Sequence, residues 1–193
     1  MKNLESFDYG GVYHVYSHAN AQDLIFKETS NYQYFLEKLS RYIIPVADIY
    51  AYSLLPNHFH LLLRFKDRQI EENEKENIHK NLMKPFSNML NGYAKAYNKR
   101  YNRKGALFLD FIKRKKVEDE KYLLKLVHYI HHNPVNHGFV RELNDWNYSS
   151  YRSYLDLYKK SQIKREDIME YFDSIQDFIA FHHSSVEYDF LEM

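Results

Sequence analysis

The feature that most constrains the fold is a pair of strand-like segments joined by a short turn. The first segment, VADIYAYSLL, covers residues 46–55, and the second, HFHLLLRF, covers residues 58–65. Both are rich in the β-branched, aromatic and leucine side chains that suit a buried strand. Pro56 and Asn57 stand between them and favour a turn. The sequence therefore predicts two strands that follow each other directly, with most of their side chains buried.

Hydrophobic spacing predicts the other elements of the chain. We expect further strands over residues 11–18 and 105–117, and helices over residues 30–43, 79–101 and 119–133. Pro134 is expected to break the last of these helices, residues 66–77 read as a polar loop, and the tail from about Arg165 reads as helical. The order βαββαβ followed by C-terminal helices predicts an α+β fold. A ferredoxin-like core fits it, with a four-stranded antiparallel sheet and two helices packed on one face.

Composition narrows the class of protein. The 193 residues include 45% hydrophobic side chains, enough for one globular core, and no cysteine. Disulfides and cysteine-ligated zinc are therefore excluded. No apolar run approaches the roughly 20 residues that span a bilayer, and the first residues, MKNLESFDYGG, lack the apolar core of a signal peptide. The expected location is the cytoplasm.

Charge is distributed unevenly along the chain although the net charge is only +1. Residues 79–116 contain 11 Lys and Arg against a single acid, whereas residues 161–193 contain eight acids against two basic residues. This pattern is expected when one face meets a polyanion such as DNA, but a solvated helix face rich in lysine gives a similar count. Tyr93, Tyr97 and Tyr101 lie along one helix face in the basic segment. They would either stack on bases or fill the core.

Two histidines in the second segment are candidates for metal ligands. Side chains alternate along a strand, so His58 and His60 point to the same side and Phe59 to the other. Neutral imidazole is a common ligand for divalent metals, and the two rings are close enough to reach one ion. The alternative is an ordinary pair of half-exposed polar residues on an open sheet face.

A second group of candidates lies in LVHYIHHNPVNHG, residues 126–138. On a helix, Tyr129 and Asn133 lie four residues apart along the edge of the apolar stripe and so project side by side. A phenol and a carboxamide oxygen beside two imidazoles supply a nucleophile and a further metal ligand for attack on a phosphodiester. An exposed tyrosine on a polar flank is the alternative. His128 and His132 have the spacing of a helical metal pair, but no further ligand motif accompanies them.

These motifs resemble a known family. PNHFHLLL is similar to the His-hydrophobic-His motif of the single-tyrosine HUH transposases. YIHHNPVNHGFV followed by WNYSSYRSYL (residues 146–155) resembles the REP-associated tyrosine transposases, and GALFLDFIKRKKV fits the fourth strand of that group. The resemblance covers roughly residues 9–155 and implies a transposase domain over residues 1–155. Residues 156–193 carry no such resemblance, and their charge and hydrophobic pattern predict an acidic helical tail. One departure is SHAN (residues 17–20), where an Arg-Gly-Asn ending is expected.

The resemblance assigns roles to particular residues. It implies that His58, His60 and Asn133 bind a divalent ion, Mg or Mn, and that Tyr129 is the nucleophile. Asn133 stands, as in the REP-associated group, where related insertion-sequence transposases carry glutamine. The implied activity is nicking and rejoining of single-stranded, hairpin-forming DNA through a covalent 5′-phosphotyrosine.

Candidate phosphate contacts are basic residues of the middle segment: Lys99, Arg100, Arg103, Lys113, Arg114, Lys115 and Lys116. Charge runs are often only solvated, so each of these contacts is an expectation. Two other functional classes stay open: a DNA-binding module that has lost catalysis, and a replication initiator or relaxase with the same chemistry. The oligomeric state, monomer or homodimer, also stays open.

Overall fold

The structure is a computed structural model of the chain and describes residues 5–69, 71–109 and 112–188. The strands are Val12–His18 (β1), Ala47–Leu55 (β2), His58–Phe65 (β3) and Lys113–Val117 (β4). The helices are Thr29–Tyr42 (α1), Ile78–Arg100 (α2), Glu120–Asn136 (α3), Tyr151–Tyr154 (α4), Arg165–Met169 (α5) and Ile175–His183 (α6). Two 3₁₀ turns cover Glu72–Asn77 and Leu143–Asp145.

The four strands form one sheet in the order β2-β3-β1-β4, and every neighbouring pair is antiparallel. This order follows from the βαββαβ sequence of elements and confirms the predicted α+β fold with a ferredoxin-like sheet and C-terminal helices. β1 and β3 occupy the centre, so the segments that carry the candidate histidines are paired on both sides. Their positions are therefore set by backbone hydrogen bonds.

The two faces of β3 pack against different helices. Phe59 lies 5.0 Å, ring centre to ring centre, from Phe35 of α1, and α2 covers the same face further along the strand. His58 and His60 point to the opposite face, where α3 packs and leaves them 2% and 1% exposed. The alternative of a half-exposed pair on an open sheet face is therefore wrong, because α3 forms a third layer over these histidines.

The fourth strand is shorter than predicted. The sequence predicted a strand over residues 105–117, but the ladder with β1 begins where Lys113 pairs with Tyr16 and ends at Val117. β1 ends at His18, so earlier residues of the segment have no continuous partner strand among the described residues. Phe108 meets Ala19 in a single bridge. Residues 110 and 111 of the predicted strand lie outside the described residues.

Pro134 does not break α3, contrary to the prediction from sequence. The helix continues to Asn136, and the amide of His137 still donates to the carbonyl of Asn133 at 3.1 Å. A proline this close to a helix end removes only one N–H and disturbs one preceding carbonyl, so the last turn survives. Asn133 therefore sits inside a regular helix that fixes its direction relative to Tyr129.

The C-terminal segment packs onto the same core as the sheet. Ile168 of α5 and Phe178 of α6 are fully buried and join the hydrophobic cluster of the sheet and helices. The buried guanidinium of Arg165 donates to four backbone carbonyls between Ser153 and Lys159. Among the described helices, none is both long and apolar enough to cross a membrane.

Candidate metal and nucleophile site

The first residue of β3 meets the last full turn of α3. Nε2 of His58 lies 2.9 Å from Oδ1 of Asn133. Both side chains are buried, and Nδ2 of Asn133 has no hydrogen-bond partner within the described ranges. The helix and the strand thus bring together two of the three residues that the sequence predicted as metal ligands.

Tyr129 lies one helical turn before Asn133 and faces the second histidine. Its ring centre is 5.4 Å from that of His60, with the rings nearly perpendicular at 82°. The side chain is only 7% exposed, and the ring of Tyr188 packs edge-on against it at 5.3 Å. The structure therefore gathers His58, His60, Tyr129 and Asn133 in one place, between the sheet and α3.

A third buried histidine contacts this group and was not predicted from the sequence. Nε2 of His14 on β1 lies 2.9 Å from Nδ1 of His60, and His14 is 3% exposed. Alternation along β1 puts His14 on the same sheet face as Tyr16, whose ring stacks near His60 at 5.6 Å. His14 could have been identified from the pairing of β1 with β3, which places it beside His60.

Burial keeps the imidazoles of this site neutral. It lowers the pKa of His14 to about 3, with a further contribution from Lys115, and lowers the pKa of His58 to about 4. Burial also lowers the pKa of His60 well below its usual value, and the neighbouring His14 adds to the effect. Neutral imidazole is the form that binds metals.

Burial acts in the opposite sense on the phenol. It raises the pKa of Tyr129, and the interaction with the Asn133 side chain partly opposes that shift. The neutral phenol is therefore favoured in the free protein, and attack by its oxygen requires help in removing the proton.

The donor atoms fit a small divalent ion. Mg²⁺ holds its ligands at about 2.0–2.1 Å in octahedral geometry, so two adjacent ligands lie about 3 Å apart. The separation of 2.9 Å between Nε2 of His58 and Oδ1 of Asn133 is that of an ordinary hydrogen bond in the free protein, and it also equals the spacing of two such ligands. No three His, Cys, Asp or Glu side chains of the described ranges are grouped to hold a metal. The candidate set thus depends on the amide of Asn133 as its third member.

Two further histidines flank His58. The ring of His18 stacks on it at 4.9 Å, and the ring of His137 approaches edge-on at 4.8 Å. His18 belongs to the SHAN segment that departs from the expected Arg-Gly-Asn, so an imidazole stands beside the site at this strand end.

Strand alternation divides the four basic residues of β4 into two pairs. Lys113 and Lys115 are paired in register with Tyr16 and His14, so they share the sheet face of the candidate site, and both are exposed. Arg114 and Lys116 point to the other face. There they hold the N-terminal segment: Arg114 bonds the carbonyl of Glu5 and lies over the ring of Phe7, and Lys116 pairs with Asp8.

The basic residues at the end of α2 lie elsewhere in the fold. Arg100 pairs with Glu28 at 2.8 Å, Arg103 pairs with Asp23, and Lys99 is exposed. Tyr93 and Tyr97 are buried and donate to the carbonyls of Ile25 and Leu24. These two tyrosines therefore belong to the core, which was the alternative left open by the sequence, and do not present their faces to bases.

His128 and His132 stack face to face, with ring centres 4.1 Å apart and 8° between the planes. Nδ1 of His128 bonds the hydroxyl of Tyr188 at 2.7 Å, and Nε2 of His132 bonds the carbonyl of His182. Each ring thus uses one nitrogen for a hydrogen bond to the C-terminal segment. The contacts favour a structural role, tying α3 to α6, over a second metal pair.

The fold is α+β, with a four-stranded antiparallel sheet. Its third strand carries the His-X-His motif and faces the helix that bears Tyr129 and Asn133. Among solved structures, the chain is similar to the REP-associated tyrosine transposase bound to a REP hairpin, with a TM-score of 0.60 and 18% sequence identity. The match covers 86% of this chain and 98% of that one. The resemblance read from the sequence is thus confirmed at the level of the fold. No family model matches the sequence, and no curated protein matches it.

Proposed function

We propose that this protein is a metal-dependent transposase that nicks and rejoins single-stranded DNA through a covalent 5′-phosphotyrosine at Tyr129. The observation that supports it most is the convergence of His58 and His60 of β3 with Tyr129 and Asn133 of α3. The structural neighbour is a tyrosine transposase bound to a DNA hairpin. Single-stranded DNA that forms a hairpin is therefore the proposed partner.

In the proposed reaction, His58, His60 and Asn133 would hold Mg or Mn. When bound, the ion would polarise the scissile phosphate and offset the charge that develops on its oxygens. The hydroxyl oxygen of Tyr129 would attack the phosphorus, forming a tyrosine–phosphate bond to the 5′ side while the bond to the 3′ oxygen breaks. The phenol loses its proton and the departing oxygen gains one, so the strand end is a free 3′-hydroxyl. A second 3′-hydroxyl reverses these steps and rejoins a strand.

The lysines of β4 would contact the strand beside the site. Lys113 and Lys115 extend the sheet face that carries the histidines, and Lys115 lies over the ring of Tyr122 at 4.9 Å. An exposed ammonium group near a ring suits the phosphate and base of a single strand. Arg114 and Lys116 are assigned to the N-terminal segment instead.

A DNA-binding module without catalysis is the second candidate function. It is favoured by the burial of Tyr129, which is 7% exposed beneath Tyr188. A non-catalytic module still binds the hairpin but leaves the strand intact.

Cleavage of a labelled hairpin-bearing strand distinguishes the two candidates. The full chain is incubated with the strand in Mg²⁺ or Mn²⁺, with a chelator in the matched control, and products are tested for extension by a terminal transferase. The proposed transposase yields a metal-dependent product with an extendable 3′-hydroxyl. Tight binding with no such product in either metal would favour the module.

A further inference from the structure

Each of the two candidate metal-binding histidines is contacted by a polar side chain at its Nδ1 atom. Nδ1 of His58 lies 2.8 Å from Oδ1 of Asn57, in the turn that precedes β3. Nδ1 of His60 lies 2.9 Å from Nε2 of His14 on β1. Both contacts leave Nε2 as the second ring nitrogen, and in His58 that atom faces Asn133.

These contacts bear on the tautomer of each ring. A neutral imidazole carries one N–H and one lone pair, and the proton sits on the nitrogen that has an acceptor. Oδ1 of Asn57 and Oδ1 of Asn133 can both only accept, so the single proton of a neutral His58 ring satisfies one of these contacts and leaves the other without a donor. With the proton on Nδ1, the lone pair of Nε2 faces the lone pair of the Asn133 oxygen at 2.9 Å. Two such acceptors face each other most favourably when a cation lies between them.

We propose that Asn57 and His14 are positioning residues that accept the Nδ1 protons of His58 and His60, and so reserve both Nε2 lone pairs for a divalent ion. The inference rests on the proposed metal site and deepens it by naming what sets its ligand atoms. Neither residue belongs to the predicted ligand set, and His14 comes from a different strand.

The outer hydrogen-bond partners of His58 and His60 differ from those that are common at metal sites. Metal-binding histidines commonly donate their other N–H to a carboxylate or a backbone carbonyl. Here both acceptors are neutral side chains, and the titratable neighbours that act on His60 are all histidines: His14, His58, His18 and His137. A bound ion therefore keeps its full positive charge toward an anionic phosphate.

Packing alone is the rival explanation for His14. Its ring stacks against Tyr16 at 4.9 Å and meets Tyr129 edge-on at 6.3 Å, so it also fills space under α3. Two substitutions distinguish the roles. His14→Phe keeps an aromatic ring but removes the acceptor, whereas His14→Gln keeps an acceptor and gives up the ring.

The first test reads the tautomers directly in the full-length wild type with saturating Mg²⁺, the state in which both Nε2 lone pairs are proposed to bind the ion. Two-bond ¹H–¹⁵N correlations of the imidazoles, assigned with single histidine substitutions, show which nitrogen carries the proton. The expected result is Nδ1–H for both His58 and His60. A proton on Nε2 of either ring would overturn the proposal.

The second test measures the affinity for Mn²⁺ by electron paramagnetic resonance, with thermal unfolding as the check on folding. His14→Phe and Asn57→Ala should each bind about 10- to 100-fold more weakly than the wild type, the range found when outer partners of metal ligands are removed. His14→Gln and Asn57→Asp, which retain an acceptor, should bind more tightly than His14→Phe and Asn57→Ala.

The outcomes separate this inference from the proposed function. Wild-type affinity in folded His14→Phe and Asn57→Ala would overturn the positioning role and leave the metal site standing. A wild type that binds no Mn²⁺ would overturn the metal site itself, and the positioning role with it.

Discussion

Nε2 of His58 and Oδ1 of Asn133 lie 2.9 Å apart across the boundary between the sheet and α3, although 75 positions separate them in the chain. The contact joins the two motifs that stood out separately in the sequence. It also leaves Nδ2 of Asn133 buried beside Tyr129 without a hydrogen bond of normal geometry among the described residues, which is an energetic cost in the free protein. Such a cost is typical of a site that is kept for function.

Asn133→Leu tests that interpretation. Leucine has a similar volume and removes the unpartnered polar atom, so the free energy of unfolding should stay within about 1 kcal/mol of the wild type or rise. Binding of Mn²⁺, measured by calorimetry, should be abolished. A marked decrease of stability in urea with metal binding retained would show that Asn133 serves the fold and not a metal.

Replacing the two site histidines should affect folding as well as metal binding. His58 and His60 are buried beneath α3, so changing both to Ala leaves cavities. We expect destabilisation of roughly 2–5 kcal/mol in urea unfolding, together with loss of divalent-ion binding. Unchanged ion binding in the folded fraction would place the metal elsewhere.

The two pairs of basic residues on β4 should behave differently. Changing Lys113 and Lys115 to Gln should weaken binding of a single-stranded hairpin and reduce its salt dependence by a slope of about 0.7 for each phosphate that is no longer neutralised. Changing Arg114 and Lys116 to Gln is the matched control, because the number of charges removed is equal. That control should instead loosen the N-terminal segment. Equal slopes for wild type and the Lys113/Lys115 variant would contradict the DNA path proposed along this strand.

Arg165 should hold the C-terminal segment to the rest of the protein. Its guanidinium donates to backbone carbonyls on both sides of the boundary that the sequence suggested at residue 155. Arg165→Met leaves these carbonyls without their donor and should cost roughly 2–4 kcal/mol in urea unfolding. A change below about 0.5 kcal/mol would contradict this role of Arg165 and indicate that the buried side chains of Ile168 and Phe178 hold the segment without it.

Stability should fall in mild acid. Burial lowers the pKa of His128 to about 4 and that of His182 to about 3, whereas both ionise near 6.5 in an unfolded chain. Between the lowered pKa values and about 6.5, the unfolded state therefore binds more protons than the folded state. The contribution of the two neutral histidines to the free energy of unfolding is complete above about pH 6.5 and is lost as the pH falls. Each proton taken up lowers the free energy of unfolding by about 1.4 kcal/mol per pH unit. Urea unfolding at about pH 7.5, 6 and 5 checks this, and equal stability at all three would contradict it.

Local patterns in the sequence predicted where the main helices and strands lie. They predicted less well those features that depend on contacts between elements. β3 begins and ends as predicted, at His58 and Phe65, because its turn residues and apolar run are local signals. The length of β4 was overestimated because it depends on where β1 ends. Pro134 was read as a helix break because its effect depends on its distance from the helix end.

The candidate site divides in the same way. His58, His60, Tyr129 and Asn133 were found from spacing within one strand and one helix. The role of His14 depends on strand order, which places β1 beside β3, and the burial of His58 and His60 depends on α3 packing over that face. Neither relationship can be read from a single segment.

Mapping of the covalent adduct tests whether Tyr129 is the nucleophile. The full chain is incubated with a hairpin-bearing single strand and Mn²⁺, digested, and the nucleotide-bearing peptide is identified by mass spectrometry. We predict a phosphodiester on Tyr129 in the wild type, its absence in Tyr129→Phe, and its retention in the control Tyr122→Phe. Hairpin binding should be nearly unchanged in both variants. An adduct on Tyr122, or one that persists in Tyr129→Phe, would contradict the assignment of Tyr129 as the nucleophile.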